Sequence, residues 1–106
     1  MDIQLKRGML EVCVLAAIRQ EDSYGYRIIR DLKPYAELSE STLYPILRRL
    51  EAGECLKSYS VEHNGRLRKF YSITSKGEEK ITDYLRDFKE LMAIYNFIAG
   101  EVKKDV

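Results

Sequence analysis

Between positions 41 and 76 the sequence gathers Arg48, Arg49, Lys57, Arg66, Arg68, Lys69 and Lys76, seven cations against the three acids Glu51, Glu54 and Glu62. Hydroxyl-bearing side chains are interleaved with them, among them Ser41, Thr42 and Tyr44. Guanidinium and ammonium groups form charge-assisted hydrogen bonds to phosphate and carboxylate oxygens, and hydroxyls add neutral ones. The chemistry available here is recognition of a polyanion. Catalysis is poorly served, because His63 is the only histidine and has no fixed partner. Cys13 and Cys55 form no CxxC pair and have no zinc-ligand spacing. Neither a cofactor nor a metal site is expected, and an enzyme is not.

The rest of the chain frames this patch. Its 106 residues carry a net charge of only +1, so everything outside the basic stretch sums to −3 and any polyanion must be held locally. With 45% hydrophobic and 33% charged residues the chain should fold as one compact unit, and at this length shared burial between subunits would add useful stability. The apolar stretch Val12–Ile18 is too short to span a membrane, and no secretory cleavage pattern is evident. A reducing cytoplasm suits two unpaired cysteines. Cys13, among Val12, Val14 and Leu15, reads as a small core residue. Cys55, after Gly53, is expected to be more exposed and leaves a redox role open.

The elements that would position the patch follow from periodicity. Leu5, Met9, Val12, Cys13, Ala16 and Ala17 recur at three and four residues and predict a central first helix over Ile3–Ile18. Ser23 offers a cap for a short second helix through Tyr24, Ile28, Ile29 and Leu32, stopped by Pro34. Ser39 or Ser41 can cap a third, with Leu43, Ile46, Leu47 and Leu50 as its apolar stripe and Gly53 as its stop. Pro45 falls inside that stripe without shifting its phase, so the helix is expected to continue through it. From Leu56 to Ile73 the period changes to two around Asn64-Gly65, a hairpin turn signal. Ser75-Lys76-Gly77-Glu78 has capping-box spacing. It opens a long helix whose seam runs Ile81, Leu85, Phe88, Met92, Tyr95, Ala99 and Val102.

Helix, helix, helix, hairpin and long helix is the order of a winged helix-turn-helix: mainly α with a small β-hairpin, extended by a long C-terminal dimerisation helix. In that plan the third helix enters the major groove of double-stranded DNA. Its face opposite the stripe carries Ser41, Tyr44, Pro45 and Arg48, with Thr42 at its start. The hairpin crowds His63, Asn64, Gly65, Arg66, Arg68 and Lys69 around its tip. An ordinary solvated helix face and a charge-protected hairpin edge are the alternatives at each site taken alone. The long apolar seam predicts a dimer, since the first three helices could not cover it within one subunit.

The residues Tyr24-Gly25-Tyr26, then Ser41-Thr42-Leu43-Tyr44-Pro45-Ile46-Leu47-Arg48-Arg49-Leu50-Glu51, then Gly65-Arg66-Leu67-Arg68-Lys69-Phe70-Tyr71-Ser72-Ile73-Thr74 and Gly77 resemble the PadR-type transcriptional regulators over nearly the whole chain. The resemblance implies a homodimeric repressor of short form, with residues 1–74 as the DNA-binding domain and 75–106 as a single dimerisation helix. It implies that Tyr24, Tyr44, Arg48, Gly65, Arg66, Arg68 and Lys69 meet an operator. It also implies that the first and last helices join the subunits, through Leu5, Met9, Ile81, Leu85, Phe88, Met92 and Tyr95. Ser41 stands where the family often has a small residue, and Leu67 where a wing proline is common. The chain has no tryptophan, so the stacking of planar ligands on that residue does not carry over. A small-molecule effector of unspecified chemistry remains compatible with the role. Among the eight tyrosines, Tyr26, Tyr59 and Tyr71 are expected to pack. The rival reading is a winged helix used only for protein interaction.

Overall fold

The computed structural model describes residues 3–101, with side chains from Lys6 onward. Leu5 as a side chain and Val102, both placed above in subunit contacts, lie outside the described residues. The elements are α1 (Ile3–Arg19), α2 (Gly25–Leu32), α3 (Glu40–Ala52), β1 (Leu56–His63), β2 (Arg66–Ile73) and α4 (Ser75–Ile98).

The apolar stripes of these elements converge on one core. Val14, Leu15 and Ile18 of α1 meet Ile28 and Leu32 of α2 and Leu43, Ile46, Leu47 and Leu50 of α3. Leu56 and Tyr71 close it from the hairpin, and Ile81 from α4. Each such buried aliphatic side chain contributes about 1.5–3 kcal/mol over its exposed state.

Helix α3 begins where the Ser39 hydroxyl accepts the Thr42 amide at 3.3 Å, and Gly53 ends it by donating to the Arg49 carbonyl. Pro45 stays inside the helix, as the unbroken stripe required. The two other cap assignments need correcting. Ser23 does not cap α2: Tyr24 occupies that position without a side-chain hydrogen bond. Ser23 instead exchanges two backbone hydrogen bonds with Tyr71, 3.1 and 2.8 Å long, and adds a one-residue third strand to the hairpin. Likewise Thr74, not Ser75, caps α4. Its hydroxyl accepts from the Gly77 amide at 3.1 Å and donates to the Glu54 carbonyl at 2.6 Å, a bond that Ser75 inside the helix does not make.

The hairpin pairs Leu56 with Ile73 through to His63 with Arg66 in unbroken antiparallel register. The turn between them is Asn64-Gly65, at φ 50° and 75°. Both residues are left-handed, the demand that asparagine and glycine meet at least cost.

Two burial expectations are overturned. Tyr26 is 69% exposed rather than packed, whereas Tyr71 is buried and Tyr59, though half-exposed, stacks on Phe70 at 5.8 Å with its hydroxyl donating to Asp22. Cys55 is buried, which removes the exposed thiol that a redox role needs. Cys13 is half-buried, and burial pushes its thiol pKa up. Among the described residues no helix is long and apolar enough to cross a membrane, and no acidic, histidine or cysteine cluster could hold a metal.

Candidate nucleic-acid interface

Burial of Leu43, Ile46, Leu47 and Leu50 turns the opposite face of α3 outward, so Ser41, Tyr44 and Arg48 stand in solvent. Beside that face lies a groove of ≈ 650 Å³ between α2, α3 and the wing, lined by Tyr24, Tyr44, Asn64, Arg66, Arg68 and Lys69 among others. Six residues singled out from the sequence therefore share one concave surface.

Each is positioned by identifiable contacts. Tyr44 leans over the start of α2 so closely that a Cβ added to Gly25 would fall 2.6 Å from its hydroxyl. A side chain there would push the part-exposed Tyr44 ring aside. Tyr24 meets Phe70 edge-on at 5.3 Å, and the Arg68 guanidinium lies 4.3 Å over the Tyr24 ring. Such a cation–π contact contributes about 0.5–1 kcal/mol at an exposed site and holds the cation in one direction. Lys69 is drawn toward the body, its ammonium 3.9 Å from Glu51 and 5.6 Å over the Tyr71 ring. Arg66 has no ion pair among the described residues and stands at the tip, paired in register with His63. Tyr71 has its pKa raised by burial and by nearby Glu51 and Tyr44, with Arg48 opposing. Tyr44, Arg48 and Glu51 of α3 thus lie close enough to Tyr71 of β2 to act on it electrostatically.

Ser41 and Thr42 are not brought into this groove. They line a different one, on the far side of α3, together with Lys6, Arg7, Pro45 and Arg49. Arg49 is held there by Glu11 of α1 at 3.0 Å. Among the residues assigned to subunit contacts, Ile81 needs correcting. It is 3% exposed inside the chain's own core, so it cannot belong to a seam. Met9 is half-buried, whereas Leu85, Phe88, Met92 and Tyr95 are exposed, as are Leu91, Ile94, Phe97 and Ile98. Gly25 and Phe70 were not singled out as site residues. A glycine at the first position of a helix, between two tyrosines, was the available signal for one. The other reads from sequence as an ordinary strand aromatic.

Three packed helices, a two-stranded wing and a projecting fourth helix define a winged helix-turn-helix protein. The profile of the transcriptional regulator PadR-like family matches residues 14–83. This chain belongs to that family. It is 31% identical over 100 residues to an uncharacterised protein X of Lysinibacillus sphaericus, covering 89% of this chain and 92% of that one. A PadR-like transcription factor from Bacteroides fragilis has a similar structure, with 37% identity and a TM-score of 0.81, over 90% of this chain and 94% of its own. Bacillus subtilis PadR, solved in complex with operator DNA, shares the fold at a TM-score of 0.66 and 22% identity, over 72% of this chain and 46% of its own. The family and these neighbours are transcriptional regulators.

Proposed function

We propose that this regulator is a homodimeric repressor that binds a roughly palindromic operator and leaves it on a separate signal. The observation that carries the reading is the shared groove, which sets Tyr44 of α3 beside Arg66, Arg68 and Lys69 of the wing. A helix of this diameter fills a major groove, and cations to one side of it then meet the phosphates of the groove wall. Arg48 and Tyr44 are assigned to base edges, and the wing cations with Tyr24 to the backbone. The operator complex of Bacillus subtilis PadR supports the same use of the fold.

Residues 75–106 supply the subunit contact in this reading. α4 is 24 residues long, yet Gly77 and Ile81 are the residues it buries. Its exposed Leu85, Phe88, Met92 and Tyr95 recur at three and four residues along one side, an uncovered apolar face of the kind that marks interaction sites. Two such subunits would present their α3 helices to half-sites about 34–36 Å apart.

The test is selection from a random duplex library, followed by anisotropy titration of the recovered sequence and sedimentation of the free protein. An enriched inverted repeat and a dimer at micromolar concentration are expected. No enrichment over random DNA would favour the protein-interaction alternative and reject the operator reading.

A further inference from the structure

Helix α3 stands between two grooves rather than beside one. The second, of ≈ 440 Å³, has Leu10, Leu38, Pro45 and Ile46 among its apolar residues. Lys6, Arg7 and Arg49 line it with a single acid, Glu37. Arg49 is engaged by Glu11, while Lys6 and Arg7 are exposed and have no ion pair among the described residues. They sit in the first two turns of α1, alongside Ser41, Thr42 and Pro45 near the start of α3.

A major groove has a phosphate strand on each wall and is about 12 Å wide. An α-helix with its side chains is about 10–12 Å across, so both walls come within reach of whatever flanks the helix. The wing cations flank α3 on the Tyr44 side only. We infer that Lys6 and Arg7 are phosphate contacts to the opposite wall, so that each recognition helix is clamped by both strands. The inference rests on the operator reading above and adds to it a contact surface on α1. It also gives Ser41 and Thr42 a place, since they lie on the side of α3 nearest these two cations.

The experiment compares wild type, K6A/R7A and R66A on the selected operator by phosphate-ethylation interference and by the salt dependence of affinity. Wild type should show interference on both strands in each half-site. R66A should lose the positions on one strand, and K6A/R7A those on the other. Each cation removed from both protomers should make the slope of log affinity against log salt shallower by about 1.8. Sedimentation and thermal melting of K6A/R7A should match wild type. Interference retained on both strands with an unchanged slope overturns the inference. So does a monomeric K6A/R7A, because a second copy rather than DNA would then occupy the groove. A wild type with no specific complex fails the operator reading itself, a distinct result.

Discussion

The two ends of this chain solve the burial problem differently. In α1 to α3 and the hairpin, the large apolar side chains at 0–8% exposure meet one another within the subunit, from Leu15 to Leu47 and Leu56. Along α4 the pattern inverts beyond Ile81, with Leu85 57% and Phe97 74% exposed. An open apolar face on a helix projecting from that core, in a molecule 69 Å long and 26 Å across, is the kind of surface that marks an interaction site. The difference assigns the two regions different failure modes when they are mutated.

The largest contrast should come from truncating one residue of each kind. Leu15→Ala leaves a hole at the centre of the helical core and should lower unfolding free energy by about 2–5 kcal/mol, read by urea denaturation. Leu85→Ser should leave far-UV circular dichroism intact and shift sedimentation from dimer to monomer. If Leu85→Ser unfolds the chain while Leu15→Ala does not, the division between a closed and an open region is wrong.

Next in size is the contact between Gly25 and Tyr44. Gly25→Ala drives a methyl against the hydroxyl of the part-exposed Tyr44, which should swing its ring aside with little loss of stability and weaken operator binding. Adding Tyr44→Phe removes the clashing oxygen, and the neighbouring ring carbon would sit 3.1 Å from the new Cβ. The double variant should therefore bind no worse than Tyr44→Phe alone, since the displaced hydroxyl is already gone. Additive losses in the double-mutant cycle would show that the two positions do not touch.

Within the interface, Arg48→Ala should erode the preference for operator over random DNA, by about 1–3 kcal/mol if Arg48 makes a bidentate base contact. Lys69→Ala should lower affinity for both DNAs alike, and less strongly, since Lys69 is shared with Glu51. Equal erosion of preference in the two variants removes the distinction between reading bases and holding phosphates.

The smallest effect is at the outer edge of the wing. Tyr59 has its pKa raised by its hydrogen bond to Asp22, then by burial and by that carboxylate's charge. A raised pKa means that this contribution is complete below the unfolded tyrosine value, and is lost as pH climbs through the folded one. Tyr59→Phe should thus flatten a slight alkaline decline in melting temperature while leaving neutral DNA binding nearly unchanged.

Most of the fold was legible because its signals are local. Asn64-Gly65 needs only its own backbone to specify the turn, and the stripe from Leu43 to Leu50 carries α3 through Pro45. The misreadings fall where distant residues decide. Ser23 has the right chemistry for a cap, but its backbone is paired with Tyr71 instead. Thr74 outcompetes its neighbour Ser75 because the Glu54 carbonyl lies within reach of its hydroxyl. Ile81 fits the heptad seam perfectly well by spacing, yet the first turns of α4 lie against α1 and the core claims it. Of the site, composition located the cations and spacing located the α3 face. Which side of α3 each residue serves, and the aromatic stack beneath Arg68, depend on how the wing docks.

That docking has a consequence for the order in which the molecule assembles. The Ser23–Tyr71 bridge joins residues 48 positions apart, whereas the hairpin closes over two residues. Helical turns and tight hairpins form through neighbours in sequence, and long loops close only after their entropy has been offset by contacts elsewhere. The three helices and the hairpin can therefore take shape separately. The bridge, with the Tyr24–Phe70 contact beside it, is the long-range closure that topology would place after them. By the same token local opening falls at the exposed end of the hairpin, between Tyr59 and Lys69, while Leu56 and Tyr71 keep its base in the core.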